Sequence, residues 1–266
     1  MQKKKSSYTV IPLFFLLLFC CAICALVMSL AESVPEPDAG TLKSLEYLAS
    51  TELASQEILN NPHQYPASLL ELLAANEETL SFVLHYPDRK NDPPAETIGT
   101  VTQGEIPFLL QWDERWGYTT YGSDFLAVTG CGPTCLSMVA SGLSGDNTIT
   151  PHCVAEFAQA NGYYVDGSGS DWALMRTGCQ EFGLLSQEMV LAEHSILQTL
   201  AYGEPIICSM LPGDFTTSGH FIVLIGVENG KIRLHDPNSV VRSQKLWSYA
   251  ELAPQIANLW KFNLSH

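Results

Sequence analysis

Residues 128–143 (VTGCGPTCLSMVASGL) place two thiols, Cys131 and Cys135, four positions apart where a loop containing glycine and proline turns into an apolar run. Pro133 suits a first helical turn, so the spacing predicts a helix that starts just after Cys131 and ends at Gly142. A thiol at a helix start faces N–H groups that lack an intrahelical acceptor, together with the positive end of the dipole. Both favour the thiolate, which is the nucleophilic form. Gly130 and Gly132 would let a substrate backbone come close. Cys135, one turn further on, points into the packed face with Leu136, Val139 and Ala140, the place of a small core residue. A bond between the two thiols would be strained at a helix start.

A thiolate nucleophile works with an imidazole that moves its proton, and the imidazole with a group that orients it. Of the seven histidines, His220 follows Ser218-Gly219 and opens the apolar strand Phe221-Ile222-Val223-Leu224-Ile225. His235 is its rival, mid-strand beside Asp236. His63, His85 and His266 lie outside the core of the C-terminal region. His152 next to Cys153, and His194, come with no CxxC or HxxxH spacing, so we read no metal site and expect no cofactor. Asp236, in Asp236-Pro237-Asn238, is either the orienting group or a turn-initiating Asp before proline. Register separates the two readings. A strict two-residue turn at Asn229-Gly230 sets His220 opposite Ser239, with Asp236 on the other face. A three-residue loop over 228–230, with Gly230 left-handed, sets His220 opposite Asn238 and Asp236 on the same face at a diagonal. The three-residue loop is expected. The oxyanion donors on offer are the Cys131 N–H and the Gln111 side chain, which on composition alone is a surface amide. Trp112, Trp116, Tyr118 and Tyr121 read as packing. Asp171-Trp172, after the run DGSGSDW, either lines a cleft or simply closes a loop.

These residues need a scaffold. Helices are predicted over the Cys131 segment, from Pro151 to Asn161-Gly162, over about 171–182 and over about 193–202. Strands follow at 205–210, 220–227 and 231–236, with 240–247 as a further strand and 249–259 as a final helix. Helices first and an antiparallel sheet second make an α+β domain over 104–266. Ahead of it, residues 32–103 read as a stalk, a helical segment and a linker. Thr41 is placed to cap a first helix stopped at Asn61-Pro62, a second spans 67–84 up to Tyr86-Pro87, and the linker runs over 88–103. Residues 1–31 carry Lys3, Lys4 and Lys5 before an uncharged apolar stretch, 10–30, long enough to span a hydrocarbon core of about 30 Å. We expect a membrane anchor that leaves the rest outside the cytoplasm, although Ser29-Leu30-Ala31 also fits a cleavage site and a secreted product. The exported part holds all 28 acidic residues and 10 of the 13 basic ones, a formal −18. That charge argues against nucleic acid or anionic lipid as partners. Five cysteines lie outside the apolar stretch, an odd number that leaves at least one thiol unpaired within a single chain.

Taken in order, the runs LLQWDERWGY, GCGPTCLSM, GSDWALM, GEPIICSM, SGHFIVLIG and HDPNS resemble the bacterial papain-like cysteine peptidases related to family thirty-nine, the bacteriocin-processing peptidases of peptide exporters. The likeness is to their stand-alone, secreted or membrane-anchored branch and covers about 104–266. It implies a papain-like fold in which a cysteine on a helix N-terminus faces a histidine on an antiparallel sheet. Residue by residue, Cys131 matches the nucleophile, His220 the base, Asp236 the orienter and Gln111 the oxyanion glutamine. In the exporter peptidases the glutamine precedes the cysteine by only a few positions, whereas 19 residues separate Gln111 from Cys131 here. No GxxxxGK[ST] is present, so the chain carries no nucleotide motif to power export. The implied activity is extracytoplasmic hydrolysis of a peptide or protein substrate. The same fold also serves binding without turnover, or acyl transfer to an amine. The sequence leaves the oligomeric state open.

Overall fold

The structure, a computed structural model, describes residues 37–265. A five-stranded antiparallel sheet is built from β1 (Leu184–Glu188), β2 (Ile206–Met210), β3 (His220–Glu228), β4 (Lys231–His235) and β5 (Ile256–Leu264), in the order β1-β5-β2-β3-β4. Both faces are covered, which is why β2 and the first half of β3 read as nearly continuous apolar runs. Ile207, Phe221, Val223, Trp260 and Phe262 pack into one core with Cys135, Leu136, Met138 and Val139. Ile206, Cys208, Ile222, Leu224, Leu234 and Leu259 pack into a second with Ile196 and Leu200. This mixed helix and antiparallel-sheet architecture is the class expected from the order of the elements.

Seven helices of six residues or more matter here: α1 (Ala39–Thr51), α2 (Ser55–Asn60), α3 (Ala67–Ala75), α4 (Leu80–Arg89), α5 (Cys131–Ser144), α6 (Pro151–Ala160) and α7 (Glu193–Ala201). Helix α5 is buried without a break from Gly132 to Gly142. A wholly buried helix must satisfy its polar side chains internally, and it does. Thr134 Oγ1 donates to Gly130 O at 2.8 Å, Ser137 Oγ to Ile149 O at 2.6 Å and Ser141 Oγ to Ser137 O at 2.7 Å. The helix runs two residues past Gly142, to the left-handed Gly145. Gly142 is needed for a different reason: a Cβ there would press on the backbone of Glu105 and Ile106.

Several local expectations are corrected. Asp38, not Thr41, caps α1, accepting from Gly40 N and Thr41 N. The helix expected over 171–182 breaks into one turn, Ala173–Arg176, and a 3-10 turn, Gly178–Phe182. Residues 240–247 are not a strand: Ser239 caps the short helix Val240–Gln244, and only Trp247 bridges back to Ile232. The final helix stops after one turn, Tyr249–Leu252, because Pro254 follows it, and Trp260 and Phe262 then alternate as strand residues of β5. The edge strand β1 was not anticipated; of its five residues only Leu184 is buried.

Helices α1 to α4 form a third core around Leu45, Leu48, Ile58, Leu69, Leu70, Leu73, Phe82 and Val83. Tyr118 and Ala127 belong to that core, and Trp112, Phe125 and Val128 pack against it. The helices therefore lean on the stretch that leads into Cys131. Among the described residues no helix is long and apolar enough to cross a membrane. The apolar stretch 10–30 lies outside the described residues.

Candidate active site

The hairpin β3–β4 positions the histidine and the aspartate. Its turn is the strict two-residue form: Glu228 pairs with Lys231, and Asn229 and Gly230 both have positive φ, 52° and 74°. The three-residue loop is therefore absent. The extra residue sits instead within β3, where the register shifts between Leu224 and Gly226. Beyond that bulge Val223 pairs with His235, and the same register carried three residues further sets His220 opposite Asn238. The offset is the one that brings Asp236 toward His220, and it arises inside the strand.

His220 Nε2 lies 2.7 Å from Asp236 Oδ1, with both side chains buried. The Asn238 N–H donates to the same oxygen at 2.8 Å, and Arg242 Nε donates to Oδ2. Asp236 thus sits at the turn before proline and is also hydrogen-bonded to the ring. Burial opposes its charge, but the His220 and Arg242 cations beside it hold its carboxyl below the usual carboxylate range. For His220, burial alone pulls the pKa down. The charge and hydrogen bond of Asp236, with a smaller contribution from Cys131, overcome this and raise it to about 10. Nε2 being taken by Asp236, Nδ1 is the ring nitrogen left for the Cys131 thiol, which neighbours this ring closely enough to add to the rise in its pKa.

Cys131 is half-exposed at the first position of α5, and all five described cysteines are free. Cys135, Cys179 and Cys208 are buried, and burial pushes each of these thiols up, away from thiolate. Cys153, on the surface, is also raised, again mainly by desolvation. Thr134 N is bonded to Gly130 O and Pro133 has no N–H, so the N–H groups of Cys131 and Gly132 lie ahead of the first bond of the helix. Gly132 meets the buried Ser170, whose Oγ contacts Tyr121 Oη at 2.8 Å; a Cβ at position 132 would overlap the Ser170 side chain. Gly132→Ala is expected to cost about 1–3 kcal/mol through this overpacking, read as a lower midpoint in urea unfolding.

Gln111 is buried rather than at the surface. Its Nε2 donates to Ala127 O at 2.6 Å and, more weakly, to Val128 O at 3.4 Å. Turning the amide over would set two carbonyl oxygens against each other, so the assignment is chemically fixed. Oε1 is left buried without a partner. The structure brings Cys131, His220 and Asp236 together, and ties Gln111 to the backbone just ahead of Cys131. His235 is set apart: its ring packs on Phe108, and burial lowers it to about 4. Trp116 and Tyr121 are core residues, while Trp172 is partly exposed and donates to Ser209 Oγ at 3.0 Å. Asp171, Trp172, Ser170 and Arg176 line an open groove of about 430 Å³ that reaches Ser170, the residue packed on Gly132.

Sequence reasoning missed Arg242, Ser239 and Ser243, which surround Asp236. Ser243 Oγ accepts from Asp236 N at 2.9 Å, and Ser239 Oγ accepts from Arg242 N at 3.1 Å. The available signal was Ser239 as a helix N-cap, which turns 240–244 from a strand into a helix and aims Arg242 back at Asp236.

A family model, the Peptidase_C39 like family, matches residues 103–263. Among solved structures the chain is similar to the peptidase domain of Streptococcus ComA, a bi-functional ABC transporter involved in a quorum sensing pathway. That match has 17% identity, covers 60% of this chain and 98% of that one, and gives a TM-score of 0.41. A structure described as a C39-like peptidase from Bacillus anthracis matches at 14% identity over 61% of this chain and 96% of that one, with a TM-score of 0.34. No curated protein matches the sequence. The family match spans three fifths of the chain and includes all four residues singled out by the motif resemblance, and the chain belongs to the Peptidase_C39 like family.

Proposed function

We propose that the protein is a cysteine peptidase acting outside the cytoplasm, with Cys131 as nucleophile, His220 as general base and acid, and Asp236 as the group that orients the ring. The observation that carries this reading is the His220 ring, bonded through Nε2 to a buried carboxylate and neighbouring, on its other side, the half-exposed thiol at the start of α5. A proton passed from Cys131 to Nδ1 leaves a thiolate beside an imidazolium that Asp236 stabilises. The thiolate attacks a peptide carbonyl, and the oxygen takes the developing negative charge. The Cys131 N–H is one donor for that oxyanion. The second Gln111 amide proton, held only by the 3.4 Å contact to Val128 O, is the other. His220 then protonates the leaving amine, and water releases the acyl group in a mirror-image second half. The groove at Trp172 and Arg176 offers the substrate chain a path beside the nucleophile. The anchored, extracytoplasmic setting rests on the apolar stretch 10–30 and its basic flank.

The test needs no known substrate. The full-length chain, purified in detergent, is treated with iodoacetamide between pH 4 and 11, and each modified cysteine is located by peptide mass spectrometry. Among the five cysteines outside the apolar stretch 10–30, Cys131 is expected to label fastest, with His220→Ala removing the advantage. Because His220 is raised to about 10, hydrolysis of a mixed peptide library is expected to decline only as the pH approaches that value. A decline near 6.5 would mean that Asp236 does not hold the imidazolium, and slow labelling of Cys131 across the range would overturn the peptidase reading.

A further inference from the structure

The short helix Val240–Gln244, which carries Arg242, has five residues and buries none of them. Neither its length nor its packing can hold it, so its position depends on hydrogen bonds to its surroundings. Within residues 236–247, Ser239 Oγ accepts from Arg242 N, Arg242 Nε donates to Asp236 Oδ2, Ser243 Oγ accepts from Asp236 N and donates to Ser239 O, and Trp247 Nε1 donates to Arg242 O. The others come from the turn between α3 and α4, more than 160 residues earlier in the chain. Glu78 there accepts a hydrogen bond from the Ser239 hydroxyl on Oε1, and its Oε2 accepts from Val240 N at 2.7 Å and Val241 N at 3.3 Å. Asn76 Nδ2 donates to Asn238 O at 2.6 Å.

The turn itself is rigidly built. Asn76 Oδ1 accepts from Glu78 N at 3.1 Å, and the fully buried Thr79 donates its hydroxyl to Asn76 O at 2.8 Å. Residues 76–79 lie outside the span matched by the family model. Yet they grip the one loop in which Asp236, Asn238 and Arg242 meet. On its other flank the same helical segment packs against Trp112, Phe125, Ala127 and Val128, ahead of Cys131.

We infer that the helical segment from Ala39 to Arg89 is a supporting part of the site, with Glu78 as its positioning residue. The Glu78 carboxylate caps the helix that holds Arg242 on Asp236, and Asp236 in turn fixes the His220 ring. This inference rests on the peptidase reading for its consequence in activity, but not for its structural content. It also sets an expectation opposite to that for an inhibitory propeptide, because weakening the contact should lower activity rather than release it. The charged and titratable groups that face the ring are Asp236, from the loop after β4, and Cys131, from α5. Arg242 and Glu78 act from behind Asp236.

The experiment compares the full-length protein with Glu78→Ala, Glu78→Gln and a charge-matched control at the exposed neighbour, Glu77→Gln. Two readouts are followed: the pH profile of Cys131 alkylation, and the titration of His220 by NMR of histidine labelled with ¹³C. Glu78→Ala is expected to slow alkylation at pH 7 by about tenfold or more and to move the His220 midpoint down by about one pH unit. Glu78→Gln keeps an oxygen for the Val240 N–H and should restore most of both values, while Glu77→Gln should leave both unchanged. If Glu78→Ala does not fold, Glu78→Asp, which keeps the charge but shortens its reach, takes its place with the same expected losses. The inference is overturned if these variants lower only the thermal midpoint and leave the profile and the His220 titration where they were, or if alkylation becomes faster. Absence of His220-dependent labelling in the parent protein would sink the peptidase reading, and the NMR titration would still decide whether Glu78 sets the ring.

Discussion

Cys131→Ala is expected to abolish cleavage of a mixed peptide library, leaving at most the thousandfold to ten-thousandfold acceleration over water that binding and oxyanion donors give without a nucleophile, against a total that is some 10⁶-fold larger. The physical case is that no other described thiol can stand in. Cys135, one turn along α5, is fully buried and held as a thiol by desolvation, and the negative charge of Cys131 pushes it further up. Cys179 and Cys208 are sealed in the two cores beside the sheet. Cys153 is accessible but sits on α6, with Glu156 beside it raising it further. The substitution itself is mild, since the residue is half-exposed and alanine is the best helix former. Unfolding in urea should therefore be nearly unchanged while activity disappears, and this separation is the measurement. Residual cleavage within tenfold of the parent would remove Cys131 from the mechanism and turn attention to a nucleophile outside the described residues.

What could be read in the sequence divides along physical lines. Cys131 was legible because its signals are local: two glycines, a proline in the first helical turn and an apolar run behind it. His220 was legible because it opens the only run of five consecutive large apolar residues in the C-terminal half of the chain, of which Phe221 to Leu224 are buried in β3. The register of β3 against β4 was legible as a requirement but not as a mechanism. One extra residue had to enter the hairpin, and the turn was the expected place; the structure puts it at Ile225, beside Gly226, and an isolated glycine within a strand was the local mark of a bulge that went unread. Strand β5 was read as helix because Tyr249 to Leu252 does begin one, with a Ser248–Glu251 capping box, and the switch after Pro254 to alternation at Trp260 and Phe262 falls inside the same window. Gln111 was placed at the surface because nothing near it in sequence reports that Ala127 O is 2.6 Å from its amide. The Glu78 and Arg242 contacts had no local signature at all, since each depends on tertiary partners that only the finished fold supplies.

Asp236→Asn should lower activity by about 10² to 10⁴ and at the same time reshape its pH dependence. Asparagine keeps the volume and can still accept from Asn238 N, so the turn before Pro237 survives. It cannot carry the charge that opposes the burial of His220. With that charge gone, only the smaller contribution of Cys131 opposes desolvation, and the imidazole pKa falls. The thiolate–imidazolium pair then collapses to neutral thiol and neutral imidazole at pH 7, and the alkaline decline of activity moves from about pH 10 to below neutrality. Stability follows the same sign. A histidine whose folded pKa is raised contributes stability that is complete below its unfolded value of about 6.5 and is lost as pH rises through the folded value. Asp236, depressed in the fold, contributes above its own unfolded value of 3.8 and loses that contribution only in stronger acid. The difference between parent and variant should therefore be greatest near pH 5 to 6, about 3–5 kcal/mol since a buried ion pair is broken and Arg242 is left without its partner, and should shrink toward pH 10. Urea unfolding at pH 5.5 and 10, together with the pH profile of library cleavage, checks both halves. A stability difference that stays constant with pH would mean that His220 is neutral in the folded protein and that Asp236 only orients it.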